Sequence, residues 1–430
     1  MGNDKLARAW ERQGKQSESM KPVLLLVCLL CLSAASAALA DDPLKWVQLP
    51  PLPDALGFGG PVVGTSENVL IVAGGANFPS GPPWPHGDSP AGNKVWHDRI
   101  FALEPHARHW TEAGKLPQPL AYAAAVSTSE GIYVLGGETS FHDRGNRPSA
   151  DAWLLKWDAR LRQVVVIQDA LPALPRPSQY HQAAVIDDVI YVTASSARSL
   201  QSQQLDVKSF WSLDLKASPA KRRWNELNPW PGGAREKMSL AVQRAGAGQG
   251  EAMPLCLYLF SGENWFKDSN GKLDGARYEV FTDAYRYCPE SDAWTRIADL
   301  PAVPAPLATA ADSAPAKRER FDASAMPRPA VAATAIAAGT AHVLLFSGAS
   351  DRFFHLPLQQ RPPFPRDVLA YHTSSDAWSV AGEMPLGVVT TSAVRWNDRV
   401  VIPSGEIRPG VRTNHVQSLS PIPFESGLAP

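Results

Sequence analysis

The sequence predicts an all-β fold, a six-bladed β-propeller in which six four-stranded sheets stack in a ring. Three observations predict it. A four-part pattern recurs six times between Gly57 and Leu419. Its parts are an apolar strand rich in small residues, a second apolar strand ending in Gly-Gly or Ser-Gly, a third strand carrying an aromatic residue or Asp, and a Trp strand leading to Leu-Pro or a relative. The chain also holds 39 prolines and 14 tryptophans, the composition of many short strands joined by turns. Finally, the sixth unit lacks its Trp strand, while an unassigned one, Trp46-Val47-Gln48-Leu49-Pro50, stands near the start. A sheet with an apolar face cannot bury that face alone. A ring of six buries every face but the outer edges, and a last blade closed by the N-terminal strand completes it.

Bulk properties agree. Of 430 residues, 44% are apolar and 19% charged, enough for a large core and incompatible with wholesale disorder. The formal net charge of −1 implies no basic face, so nucleic acid is not expected as a partner. Residues 1–40 read as a signal peptide. Lys5, Arg8, Arg12, Lys15 and Lys21 form a basic leader, and the apolar run 23–40 ends in Ala38-Leu39-Ala40 before Asp41-Asp42. Met20 is an alternative start, and an uncleaved anchor is the alternative to cleavage. The favoured reading is an exported protein, periplasmic or secreted, with residues 41–430 as the propeller and no stable membrane insertion. Cys28 and Cys31 fall in the leader, so only Cys256 and Cys288 follow it. They are expected on neighbouring strands, as one disulfide or as two buried thiols. Two cysteines do not make a zinc site, and no metal is expected.

The first unit opens at Gly57-Phe58-Gly59-Gly60. Its second strand, 69–73, ends at Gly74-Gly75, an insertion spans 77–97, and Trp110 precedes Leu116-Pro117. The second starts at Ala121-Tyr122, passes through 132–135 to Gly136-Gly137-Glu138, and carries Trp153 and Trp157. In the third, which starts at Tyr180-His181-Gln182, Thr193-Ala194 replaces the glycines. The fourth starts at Arg235-Glu236-Lys237, reaches Ser261-Gly262-Glu263, and ends at Trp294 before Leu300-Pro301. Residues 301–328, rich in Ala, Pro and charge, read as a flexible insertion. The fifth runs from Ala330 through Ser347-Gly348 to Trp378, and the sixth from Gly387 through Ser404-Gly405-Glu406 to a third strand at 415–419.

In such a meander the turns after second strands and the connections entering first strands emerge on one face. Asn77, Glu138, Glu263, Arg352 and the stretch Glu406 to Arg412 are expected around one mouth, approached by Tyr122, His181, Arg235 and Glu236. The stretch Ser404-Gly405-Glu406-Ile407-Arg408-Pro409-Gly410-Val411-Arg412-Thr413 sets a carboxylate and two guanidiniums on a stiff turn, which suits proton transfer on an anionic substrate. The alternative is a solvated loop with a surface ion pair. Glu138, Glu263 and Glu406 also have a purely structural reading, as turn residues of the repeat.

These repeats resemble Kelch repeats, and two motifs are similar to the N-acetylneuraminate epimerase (sialic acid mutarotase) family: Val72-Ala73-Gly74-Gly75-Ala76-Asn77-Phe78-Pro79 and Gly405-Glu406-Ile407-Arg408-Pro409-Gly410-Val411-Arg412-Thr413. The glutamate-bearing blade is last here but central in the better-known bacterial members, which resembles a cyclically permuted branch. The resemblance implies a Kelch-type propeller that interconverts anomers of N-acetylneuraminate or a related sugar acid without a cofactor. It implies Glu406 as acid/base and Arg412 as its catalytic partner. Arg408, Asn77, Glu138, Arg235 and Glu263 are the substrate-binding candidates. Rival readings are a non-catalytic Kelch module that binds carbohydrate or protein and, less favoured, a galactose-oxidase-like copper enzyme, for which no paired histidines present themselves. The oligomeric state is not legible.

Overall fold

The computed structural model describes residues 44–87, 89–141, 145–197, 205–246, 253–265, 278–302 and 327–424. The leader, Met20, Cys28, Cys31 and nearly all of the 301–328 insertion lie outside the described residues.

Among the described residues the chain is all-β, with only three-residue 3-10 turns such as Asp351–Phe353. Six four-stranded antiparallel sheets follow one another. The second strands, among them Val69–Ala73, Gly131–Leu135 and Leu255–Phe260, are apolar and almost wholly buried. Each is covered on both faces, so it shows no polar alternation. Outer strands such as Thr111–Lys115 and Gln163–Ile167 are mostly exposed and partly polar. First strands hold small residues because neighbouring sheets converge there. A Cβ on Gly64 of the first sheet would sit 2.8 Å from Ile132 of the second.

The sixth sheet combines Val394–Trp396, Arg399–Pro403 and Val416–Leu419 with the N-terminal strand Trp46–Leu49. Trp46 pairs with Leu419 and Leu49 with Val416. Apolar clusters join each sheet to the next. A further cluster, with Val72 and Phe101 on one side and Val401 and Val416 on the other, joins the sixth sheet to the first.

Two sets of hydrogen bonds repeat around this arrangement. Near the axis, a residue shortly before each first strand is left-handed: Gly60, Tyr122, Tyr180, Lys237 and Ala332, two places before it, and Thr390, four places before it, with φ between 52 and 64°. Each N–H donates to the carbonyl of its counterpart in the preceding sheet, at 2.6–3.0 Å, and Gly60 donates to Thr390, so the six bonds form a closed circuit. At the periphery, indole N–H groups of Trp46, Trp110, Trp224, Trp294 and Trp378 donate to carbonyls of Glu383, Pro50, Pro172, Asn228 and Ala298, at or just beyond the outer strand of the preceding sheet. This is the role of the Trp-to-Leu-Pro pattern.

Two departures are informative. The second sheet's tryptophans, Trp153 and Trp157, lie on its third strand, Ala152–Asp158, and its outer strand Gln163–Ile167 has none. In the third sheet, where Thr193-Ala194 replaces the glycines, the second strand runs straight on as Val189–Ala197, paired with Leu205–Asp214.

Cys256 and Cys288 form a disulfide between adjacent strands of the fourth sheet, 32 residues apart. A loop of that size contributes about 2–4 kcal/mol by restricting the unfolded chain. Cys256→Ser with Cys288→Ser is therefore expected to lower the stability by that amount in urea melts, and reductant to do the same to the native protein. A midpoint insensitive to both would show that the bond is not formed.

Candidate functional site

After the second strands the Gly-Gly and Ser-Gly pairs turn the chain out of the sheet. Ser404 and Gly405 have φ of 60 and 102°, and the second value is one that only glycine adopts freely. The residue that follows pairs back onto the chain entering a first strand: Glu138 with Ala121, Glu263 with Glu236, Glu406 with Val389. The three glutamates therefore occupy equivalent positions in their sheets, each just beyond a second strand.

Their surroundings differ. Glu138 accepts from the Trp96 indole (3.2 Å) and the Asn146 amide (2.5 Å), with Lys94 at 3.8 Å. Glu263 accepts from Lys237, Trp265 and Tyr278. Glu406 accepts from Arg412 Nη2 at 2.8 Å and, weakly, from the Gly410 N–H at 3.3 Å. Its side chain is 15% exposed, against 7% for Glu138 and 3% for Glu263. Of the three, Glu406 retains the most unused acceptor capacity and the most access to solvent.

Arg412 completes this pair. It lies opposite Glu406 in a hairpin of Glu406–Arg408 with Val411–Arg412. Its guanidinium stacks over Phe78 at 4.5 Å. Among the described residues only Nη2 has a partner; Nε and Nη1 are buried and unpartnered there. A buried cation with free donors is costly unless an anion meets it.

A cavity of about 330 Å³ opens beside this pair. Five of the six circuit residues line it, with Glu406, Arg412, Glu263, Lys94 and an aromatic wall of Trp265 and Phe354. Tyr122 and Tyr180 stack at 4.1 Å, and Lys94 lies over the Tyr122 ring at 4.4 Å. Burial pushes the Tyr180 phenol well above its ordinary pKa, and nearby Tyr122, Glu138, Glu236 and Glu406 add to the rise, so it stays protonated. Burial works against the Lys237 charge, but Glu263 and Glu236 more than offset it and raise its pKa. Next to it, burial pushes the Glu236 carboxyl up to about 7, with Lys237 opposing and Glu263 and Glu138 reinforcing the rise. The site thus offers cations, aromatic faces and one accessible carboxylate, a set suited to a small polar anion.

The expected residues separate into groups. Glu406, Arg412 and Glu263 come together in this cavity, and Glu138 reaches it through Lys94. Arg408 lines a neighbouring cavity instead, with Asn77. The Asn77 amide is engaged on both sides, by Gly57 O and Asp54 on Nδ2 and by His97 on Oδ1. Arg235 does not reach the mouth. It is fully buried, bonded to both Asp283 oxygens (2.5 and 3.0 Å) and to Gly233 and Ser261 carbonyls, under the Phe281 ring. It is a packing cation. Arg352 is exposed on its 3-10 turn. His181 is buried beneath the circuit, where burial lowers its pKa to about 4. Lys94, Tyr180, Lys237 and Phe78 were not singled out as site residues. The signal for two of them was present: Tyr122, Tyr180 and Lys237 each stand two residues before a first strand.

The family model described as "NANM: N-acetylneuraminate epimerase" matches residues 29–164 and 171–421. N-acetylneuraminate epimerase of Brucella suis is 36% identical over 131 residues, 28% of this chain and 31% of that protein. The epimerase of Yersinia enterocolitica is 39% identical over 110 residues, 23% and 27%. These alignments span less than a third of either chain. The solved structure titled "Structure of YjhT" superimposes with a TM-score of 0.52 and 13% identity, covering 86% of this chain and 96% of that one, which supports a propeller-like fold.

The Glu236 pKa has a measurable consequence for stability. Below pH 4.5, the ordinary value, the carboxyl is protonated folded and unfolded. As pH rises toward 7 the unfolded chain ionises first while the folded protein keeps its proton, so stability falls. Glu236→Gln removes this titration. The variant is expected to gain about 3 kcal/mol over the native protein between pH 4.5 and 7, and no more above that. Parallel stability–pH curves for the two proteins would refute the assignment.

Proposed function

The chain belongs to the N-acetylneuraminate epimerase family, and from that premise we propose that it is a mutarotase interconverting the anomers of N-acetylneuraminate or a related sugar acid. The observation that carries this reading is the Glu406–Arg412 pair: an accessible carboxylate bonded at 2.8 Å to a guanidinium whose Nε and Nη1 are buried without partners.

Arg412 receives the sugar carboxylate on those free donors, which fixes both charge and orientation. That places the adjacent anomeric carbon near Glu406. Glu406 removes the anomeric hydroxyl proton and returns it to the ring oxygen as the ring C–O bond breaks. The open keto form rotates and recloses on its other face by the reverse transfer. No atom is gained or lost and no redox step occurs. Lys94 and Lys237 supply further positive potential, and the stacked Tyr122 and Tyr180 offer a flat face to the sugar. The copper-oxidase alternative needs a cysteine free to crosslink to tyrosine, and both cysteines beyond the leader are engaged with each other.

The scaffold we envisage is a six-bladed Kelch-type propeller, cyclically permuted so that the glutamate-bearing blade is last and is closed by the N-terminal strand. The six sheets and the closed circuit support it. We also place the protein outside the cytoplasm, a reading supported by the basic-then-apolar leader and the disulfide.

The test is proton NMR of the α anomer released in situ by a sialidase, followed to the β anomer with and without protein, in EDTA. Acceleration is expected, with Glu406→Gln slower by about 10²–10⁴-fold and Arg412→Lys showing a raised KM. No acceleration by folded protein would refute the mutarotase reading. Gly59 offers a finer check, because a Cβ there would lie 3.1 Å from Arg412 Nε and 3.3 Å from Glu406 Oε1. Gly59→Ala is expected to shift the pair by tenths of an ångström and cut kcat about tenfold, with the melting temperature little changed; unaltered kcat would show that the pair's placement is not critical.

A further inference from the structure

Beside the catalytic cavity lies a second one of about 550 Å³ that the proposed reaction does not use. The two share a wall of Phe78, Gly410 and Arg412. The larger cavity takes Arg408 rather than Glu406, although two residues apart on a regular strand they would face the same way. The hairpin register shifts between them, and a bulge of this kind re-aims the side chain that follows. Arg408 then lies 5.6 Å from the Trp84 ring, its Nη2 bonded to Gln359 O and its Nε buried without a partner.

The lining of this cavity carries one sign of charge. It includes Arg408 and Arg412, and among the described lining residues no carboxylate. Trp84, Phe78 and Leu56 give it an apolar side, suited to the C–H face of a sugar. One carboxylate meeting Arg412 would leave the Arg408 Nε unmet and the larger cavity empty.

We infer that this cavity is a subsite for a second carboxylated sugar, and that the protein acts on the reducing end of an oligomer of sugar acids. The inference rests on the mutarotase reading. In such an oligomer only the reducing-end residue has a free anomeric carbon. That residue sits in the smaller cavity, between Glu406 and Arg412. The next residue, attached through its own anomeric carbon to a non-anomeric hydroxyl of the first, extends past Phe78 and sets its carboxylate against Arg408.

The probe is the disaccharide of two N-acetylneuraminates so linked, compared with the monosaccharide by the same NMR assay. The disaccharide is expected to be turned over with a KM at least tenfold lower. Leu56→Asp sets a like charge in the subsite at a side chain 46% exposed, so folding is not at stake. It and Trp84→Ala are expected to raise the disaccharide KM about tenfold while leaving monosaccharide KM and kcat as they were. Equal KM values for the two sugars, monosaccharide turnover without disaccharide turnover, or variants that change both substrates alike would each overturn the subsite. Absence of monosaccharide turnover would overturn the underlying reaction and the subsite with it.

Discussion

The architecture depends on the six backbone hydrogen bonds that run from sheet to sheet around the axis. They require a left-handed residue at each station, and five of the six are not glycine. A non-glycine residue in that conformation costs about 1–2 kcal/mol, while a backbone hydrogen bond returns about 0.5–1.5. The circuit thus roughly breaks even by itself, and the apolar interfaces between sheets hold it shut. What it contributes is position. At Tyr122, Tyr180 and Lys237 it fixes large side chains in the mouth, whereas at Gly60, Ala332 and Thr390 the side chains are small or absent. The space left on that side adjoins Val389 and Glu406, and the cavity occupies it.

The same backbone position is used three times for a glutamate and to different ends. Glu138 and Glu263 are enclosed by donors and hold their hairpins to the neighbouring chain. A carboxylate so saturated is stable but has little left to offer a substrate. At Glu406 the surrounding donors are fewer, and the one strong partner is itself left with unpaired N–H groups. Glu406 differs from the other two by having fewer partners in a repeated structural device rather than by added groups.

Much of this was readable in the sequence because repetition amplifies weak signals. The Gly-Gly and Ser-Gly pairs, the Trp-to-Leu-Pro interval and the orphan strand at Trp46 each matched an element, and the one unit without glycines proved to be the one whose second strand does not turn. That Glu406 and Arg412 stand together was legible from their spacing on a tight turn. Other features depend on contacts that no local pattern reveals. Arg235 stands beside Glu236 and Lys237 in sequence, yet Asp283, 48 residues on, draws it into the interior. Lys94 sits in an insertion without periodicity and reaches the mouth only because Val95–Trp96 pairs with Ala76–Asn77. The split between Arg408 and Arg412 follows from a register shift, a property of the paired hairpin rather than of either strand.

The sheet that carries Glu406 is also the one assembled from both chain ends, with Trp46 beside Leu419. On a ribosome the first of these partners emerges long before the second. Until residue 419 has been made, Trp46–Leu49 has no strand to join, the sixth sheet has no outer edge, and the first sheet lacks the neighbour that covers Val72 and Phe101. Five sheets can therefore stack as they appear, but the sheet bearing Glu406 is completed last, by contacts between strands near the two ends of the described chain. The Glu406–Arg412 pair therefore gains its full surroundings only once the two ends of this sheet have met, and a nascent chain holds that pair in an unfinished sheet.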